Sequence, residues 1–279
     1  TQDLLFTINL PAYSGYPTAL FNTGELSNRG FEFDIGADLF TGSFSWTLNA
    51  NYSRNRTEMI SLGQSGSTNL FVGHPPGVSL GYIFDGVFRN EDEISQHGVQ
   101  PGVQPGDIRY RDVNSDGVFN ADDRVVVGKP VPDYIFGLSN QFKYKNLTLS
   151  AFIRGVIGVD GNRISTLHNP GSSSSNKSRQ LLQRWTEDNP NTDIPRAGVT
   201  NYMASSYLRQ DLSFVRLANL QLGYNIDAAS PKWFNRIYIY ISGQNLYTVS
   251  HEDFVGFDPD AGSAYPSAKT VTLGVNMTF

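Results

Sequence analysis

Apolar and polar residues alternate along several stretches of this chain with a period of two, the signature of strands with one apolar and one polar face. Near the end of the chain Val271, Leu273, Val275, Met277 and Phe279 fall on one face, and Thr270, Thr272, Gly274, Asn276 and Thr278 on the other. Phe31, Phe33, Ile35, Ala37 and Leu39 alternate with Glu32, Asp34, Gly36 and Asp38. Beyond a short turn at Thr41-Gly42, Phe44, Trp46, Leu48, Ala50 and Tyr52 alternate with Ser45, Thr47, Asn49, Asn51 and Ser53. Two such runs, tightly joined, predict an antiparallel hairpin. Tyr134, Phe136, Leu138, Phe142 and Tyr144, the turn at Lys145-Asn146, and Leu147, Leu149, Ala151 and Ile153 predict a second. Residues 214–226 and 236–249 predict a third, although RIYIYISGQNLYTV is bulky on both faces and alternation alone does not orient it. Residues 3–10, 78–88 and 269–279 complete an all-β set of about nine or ten antiparallel strands.

The connections are unequal. Turns inside the hairpins are a few residues long, whereas residues 55–77, 89–132, 156–210 and 250–268 form long connections. Compact domains rarely hold structureless loops beyond about 12–15 residues. Outer-membrane barrels pair short turns at one end with long extracellular loops at the other. The terminal strand agrees, because its polar face carries no charge from Thr270 to Thr278. A soluble sandwich normally charges its wet face. One helix is expected within residues 173–188, where serines offer N-caps, Leu181, Leu182 and Trp185 make a stripe, and Asn189-Pro190 ends it.

Composition supports a wall with a wet interior. The chain is 39% apolar and 17% charged, with 13% aromatic residues. Soluble domains average roughly 45–50% and 25% for the first two, so the excess lies in neutral polar residues. A net charge of −5 argues against nucleic acid as a partner. With no cysteine, disulfides and thiolate metal sites are excluded. No apolar run of about 18 residues predicts a membrane helix; barrel strands need none. The chain opens on Thr1 without a signal peptide, as expected of a mature exported protein or a piece of a longer one.

The sharpest chemical motif is DVNSDGVFNADD at 112–123. Asp112, Asn114, Asp116, the Val118 carbonyl, Asn120 and Asp123 occupy positions 1, 3, 5, 7, 9 and 12 of a calcium loop, with Gly117 at the sharp turn. Aspartate at the last position reaches less far than the usual glutamate. The competing reading is a loop of Asx residues that satisfies its own backbone. A bound Ca2+ would be structural, stiffening a long loop. His74, His97, His168 and His251 have no partners at ligand spacing, and no nucleophile, zinc-protease, P-loop or dinucleotide motif is present. Glu91-Asp92-Glu93 and Asp258/Asp260 read as solvated loop charges, and Tyr13, Tyr16, Tyr110, Tyr202 and Tyr265 as loop packing before sugar stacking. No catalytic or cofactor-binding residue is assigned.

Several segments together resemble the SusC/RagA-like TonB-dependent transporters of Bacteroides-type outer membranes. They are GYIFDGVF (81–88), PGDIRYRDVNSDGVFNADDRVVVGKPVPDYIFGLS (105–139), RWTEDNPNTDIPR (184–196), SFVRLANLQLGY (213–224), SGQNLYT (242–248), GFDPD (256–260) and the terminal TVTLGVNMTF. The resemblance runs over almost the whole chain from about residue 20 and implies the carboxy-terminal part of a transmembrane barrel of about 22 strands, with 105–132 and 156–210 as extracellular loops. The plug, the TonB-contacting segment and the first barrel half would lie outside 1–279, and the remaining barrel strands would complete the wall. The implied activity is import of glycan or peptide oligomers with a SusD-like surface lipoprotein, energised through TonB, and Phe279 would match the terminal aromatic read by the barrel-assembly machinery. The implied partners are that lipoprotein, TonB, the lipid bilayer and no nucleic acid; the chain is expected to be no enzyme. The rival is a soluble β-sandwich, a carbohydrate-binding or adhesin module with a calcium-stiffened loop.

Overall fold

The computed structural model describes residues 4–62, 70–97, 100–163, 177–199, 201–227, 235–261 and 265–278. Fourteen strands occur among them. The long ones are β1 (Leu4–Asn9), β2 (Thr18–Phe40), β3 (Phe44–Ser61), β8 (Tyr134–Tyr144), β9 (Leu147–Ile157), β12 (Phe214–Asp227), β13 (Arg236–Ser250) and β14 (Thr270–Thr278). They form one eight-stranded sheet in the order β1-β2-β3-β8-β9-β12-β13-β14, with every neighbouring pair antiparallel. The three predicted hairpins are there as expected. Residues 78–88 leave the wall: they form β4 (Ser79–Gly81) and β5 (Phe84–Val87), which belong to the loops.

Register carries the alternation across the sheet. Phe33 faces Tyr52, Tyr52 faces Phe136, Leu138 faces Ile153, Leu149 faces Leu222 and Ile241 faces Leu273. Residues directly opposite share a face, so these side chains make one continuous apolar surface, and it is exposed. Leu273 is 74% accessible and Ile35 62%. Rings gather at two levels of this face. Phe40, Phe44, Trp46 and Phe142 pack together near the short turns; Phe31, Phe33, Tyr52 and Tyr134 pack together toward the other end. Phe44 and Tyr52 are eight residues apart on β3, about 26 Å along the strand. A strand tilt of about 40° reduces that to about 20 Å, close to the apolar band of about 25 Å between the aromatic girdles of a membrane barrel.

The buried core lies elsewhere. Val78, Tyr82, Val87, Phe88, Ile108, Tyr110, Leu181, Val199 and Tyr207 are all buried, and all belong to the long connections. These connections hold three two-stranded sheets: β4 with β7 (Val125–Gly128), β5 with β6 (Ile108–Tyr110), and β10 (Asp160–Asn162) with β11 (Arg209–Asp211). A short helix, α1 (Glu91–His97), starts at an unforeseen capping pair: Glu93 N–H donates to Asn90 Oδ1 (2.9 Å), and Arg89 N–H donates to Glu93 Oε2 (2.9 Å).

The helix expected within 173–188 is corrected where it is described. Arg179–Gln183 is a single 3-10 turn, after which Thr186 and Asn189 pair in a tight bend. Leu181 is buried but Leu182 points to solvent, so the stripe is incomplete. Trp185 is drawn away to cover Gly106, where an added Cβ would fall 2.5 Å from the indole. Residues 173–176 lie outside the described residues.

Candidate functional site, the polar face and its loops

Pairing resolves the strand that alternation left unoriented. Ile237, Ile239 and Ile241 stand opposite Met277, Val275 and Leu273, and so lie on the apolar face. Tyr238 and Tyr240 stand opposite Asn276 and Gly274 on the polar face. Their bulk fits because glycines receive it. A Cβ on Gly274 would sit 2.3 Å from Tyr240 Cζ, and one on Gly223 would sit 1.9 Å from Tyr238 Oη. Gln221 Nε2 donates to Tyr238 Oη (3.0 Å). On β2 and β3 the same face carries Glu32, Asp34 and Asp38. Thr47 Oγ1 donates to Asp38 (2.7 Å) and Ser53 Oγ to Glu32 (3.1 Å).

At the loop end this face carries a buried charge cluster. Arg216 on β12 is 2% accessible by side chain and Asp258 is 7%. The guanidinium donates to Asp258, to Thr248 Oγ1 (3.0 Å) and to Asp260 (3.4 Å), and Arg154 of β9 also pairs with Asp260. The Phe214 ring lies under both cations, at 4.9 Å from Arg216 Cζ and 5.3 Å from Arg154 Cζ. Asp258 further accepts the N–H of Asp260 (3.0 Å) and of Ser267 (3.2 Å). Burial alone would raise the Asp258 carboxyl, but these amides and the guanidinium hold it below the ordinary range. The expectation that Asp258 and Asp260 are solvated loop charges is therefore corrected. The sequence offered one hint: Arg216 is a lone cation within the otherwise neutral run from Phe214 to Asn225.

The connections above are knitted over long sequence separations. Tyr110 Oη donates to the Asn201 carbonyl (2.9 Å) and accepts the Met203 N–H (2.9 Å). Asp107 pairs with Arg196 at 2.7 Å, and Arg109 with Asp85 and Glu93. Tyr110 and Tyr202 thus pack loops, as expected, while Tyr13, Tyr16 and Tyr265 are exposed. A cavity of about 540 Å³ opens between Leu80, Tyr82, Arg124, Met203 and Arg209.

The 112–123 loop docks onto this core through Phe119, stacked on Tyr110 at 5.4 Å and against Tyr82 at 4.7 Å. Asp112 accepts the N–H of Ser115 (2.7 Å) and Gly117 (2.9 Å), with Gly117 at φ +81°. Asn114 Oδ1 accepts the Asp116 N–H, Asp116 accepts the Val118 N–H, and Asn120 accepts the Asp122 N–H. Asp123, fully buried, accepts the N–H of Val113 and Asn120, at 2.9 Å each. The Asn120 amide is the chief reason its carboxyl sits below the ordinary range; burial opposes this, and the Val113 and Asn114 amides and Asp112 assist. The loop therefore brings Asp112 and Asp123 together while its backbone uses the carboxylates. No group of three or more His, Asp or Glu suited to a metal stands among the described residues.

The histidines are scattered. His74 joins Met59 through its backbone, His97 packs edge-on against Phe88 at 5.3 Å, and His251 faces Asp253 at 3.4 Å. Burial, then Arg109, pushes the His97 imidazole below its ordinary pKa. His168 and Phe279 lie outside the described residues.

No family model matches the chain. It is 32% identical over its whole length to TonB-dependent receptor P26 of Formosa agariphila, of which it covers 32%. It is 26% identical to TonB-dependent receptor SusC of Bacteroides thetaiotaomicron, covering 29% of that protein. The fold of the entire chain superposes on the RagAB peptide importer in its open-open state with a TM-score of 0.82, at 24% identity and across 32% of that chain. The chain belongs to the SusC/RagA-like TonB-dependent transporters. It spans about a third of the length of the curated relatives it matches.

Within this transporter fold the apolar face is the outer surface of a barrel and the polar face the luminal one. Two of the segments that carried the resemblance now have a physical role. VRLANLQLGY supplies Arg216 and the glycine under Tyr238; GFDPD supplies the two aspartates that Arg216 holds. They join a connection to the wall.

Proposed function

We propose that the chain forms eight adjoining strands and the extracellular loops of an outer-membrane barrel that imports oligomeric nutrients. The observation that carries this is the two-faced sheet: an exposed apolar surface bounded by two aromatic levels, backed by a polar face, with the folded loops among the described residues at one end. The edges at β1 and β14 pair with further strands of the same barrel, because unpaired backbone is not tolerated in lipid. Substrate passes the luminal face, where Glu32, Asp34, Asp38, Gln221, Tyr238 and Tyr240 offer hydrogen bonds and rings. A SusD-like surface lipoprotein meets the loop layer, and TonB acts on parts of the transporter beyond this segment. The relatives named as receptors and transporters support a role without catalysis. Loop 112–123 would take one Ca2+ through Asp112, Asn114, Asp116, the Val118 carbonyl, Asn120 and Asp123, adding rigidity where Phe119 meets the loop core.

Fractionation of cells producing the whole transporter tests the membrane placement; recovery in the soluble fraction, without detergent, would favour a β-sandwich module instead. Uptake of labelled oligosaccharide and oligopeptide mixtures by cells with and without the gene tests import. Equal accumulation of both mixtures in both strains would overturn it.

A further inference from the structure

At the outer rim of the second aromatic level, the lipid-side face of the wall changes from rings to cations. Register is unbroken from Ala37↔Leu48 to Leu26↔Met59, so parity is preserved along this stretch. Phe33 stands opposite Tyr52, Phe31 opposite Arg54, and Arg29 opposite Arg56. The three guanidiniums therefore share the face of the apolar band and follow Tyr52 by about 7 and 13 Å along the strand. With the strand tilted by about 40°, Arg54 stands level with Phe31 at the rim of the ring level and the Arg29–Arg56 pair about 5 Å beyond it, where lipid headgroups begin.

Two further features make this stretch unusual. Arg29 directly opposite Arg56 is a like-charged cross-strand pair, which is destabilising unless something anionic sits on it. All three arginines are exposed, and none has a hydrogen-bond or ion-pair partner among the described residues. Glu58, next outward on this face, is not paired with them. Where β8 begins, segments 73–75 and 129–133 close over the edge of β3. They leave a cavity of about 330 Å³ lined by Arg54, Arg56, His74, Lys129 and Asp133. Lys129 is already held by Asp133. The two arginines are not.

We propose that Arg29, Arg54 and Arg56 bind the phosphorylated headgroup of an outer-leaflet lipid, seating the acyl chains against Phe31, Phe33 and Tyr52. Guanidinium forks match phosphate oxygens, and the aromatic level below supplies the apolar contact. The inference rests on the membrane placement proposed above.

The test uses the whole transporter, purified in detergent, and native mass spectrometry with added lipid A and its dephosphorylated form. Wild type should retain lipid A through purification and prefer it over the dephosphorylated lipid. The triple variant R29Q/R54Q/R56Q should lose roughly a hundredfold in affinity for lipid A, at about a factor of five per cation near an anionic lipid surface. A heat-modifiability gel shows whether the variant is still a folded barrel, and R29K/R54K/R56K should recover most of the binding. Equal retention of lipid A by a folded triple variant overturns the proposal. So does equal binding of the two lipids, or displacement of lipid A by millimolar inorganic phosphate, which would mark a free-anion site. A transporter found in the soluble fraction would instead remove the membrane placement itself.

Discussion

Arg216→Met removes the cation at the centre of the buried cluster while keeping much of the side-chain volume. Asp258 would then be a nearly inaccessible carboxylate without its counter-charge. Stripping one partner from a buried ion pair costs about 3–5 kcal/mol, because the remaining charge is left uncompensated in a poor solvent. Here the lower figure applies, since Asp258 keeps the amides of Asp260 and Ser267. The Asp260 contacts add little, being one-third exposed and screened. About 3 kcal/mol corresponds to roughly a hundredfold change in an equilibrium constant. The strand is anchored by ladder bonds to β9 and β13, so the loss should fall on residues 251–261 rather than on the wall. Hydrogen–deuterium exchange on the detergent-purified transporter should show faster exchange there, by one to two orders of magnitude, and unchanged protection in β12. The double variant R216M/D258L should be less damaged than either R216M or D258A, because no orphaned charge remains. Exchange in 251–261 within threefold of wild type would refute the reasoning, as would additive losses in the double variant.

The same anchor should have a one-sided pH dependence. The folded Asp258 pKa is depressed, so its contribution is complete above the unfolded carboxylate value near 3.9 and is lost as pH falls through the lower folded value. Exchange in 251–261 should hold steady from pH 8 to about 4.5 after correction for intrinsic rates; weakening near neutrality would count against it. Gly274→Val should clash with the Tyr240 ring and cost about 1–3 kcal/mol, with G274V/Y240A recovering most of it in a urea refolding titration. Leu273→Arg on the apolar face should cost about 2–4 kcal/mol in lipid vesicles, whereas Thr272→Arg on the luminal face should be nearly neutral; similar losses would contradict the face assignment. Calorimetry with Ca2+ should give one site with an affinity of about 10⁻⁴–10⁻³ M, in the range of extracellular modules. It should vanish in D112A/D116A, and silence at 10 mM Ca2+ in wild type would remove the metal proposal.

The wall was legible because its pattern is local. Each hairpin of 31–53, 134–153 and 214–249 repeats an alternation that a short window detects, and the register merely joins one window to the next. What escaped depended on neighbours far away in the chain. The orientation of RIYIY is set by Gly274 and Gly223, on two other strands, which leave room for Tyr240 and Tyr238. Stretches that alternation left as loops have their own folded core, because their partners are distant: Tyr110 Oη reaches Asn201, and Phe84 N–H reaches Ser206 Oγ across 122 positions. The helix expected within 173–188 failed for the same reason. Its stripe was real in sequence, but Trp185 had a better contact over Gly106. By contrast α1 could have been found, since Asn90 followed three residues later by Glu93 is a local capping signal.

The separation of cores explains why charged residues matter most at the junction. The wall exposes its apolar face, so lipid rather than protein must cover it, and within the described residues the wall builds little buried core of its own. The loop layer buries Tyr82, Ile108, Tyr110 and Val199 among themselves. Two units stabilised by different surroundings can move independently unless something specific ties them. Apolar contact is a poor tie on a polar face exposed to water. A buried guanidinium holding two carboxylates and a threonine hydroxyl is directional, and it holds as long as its partners are present and charged. Arg216 with Asp258 and Asp260 therefore sets how the 251–261 connection stands over the polar face of the wall.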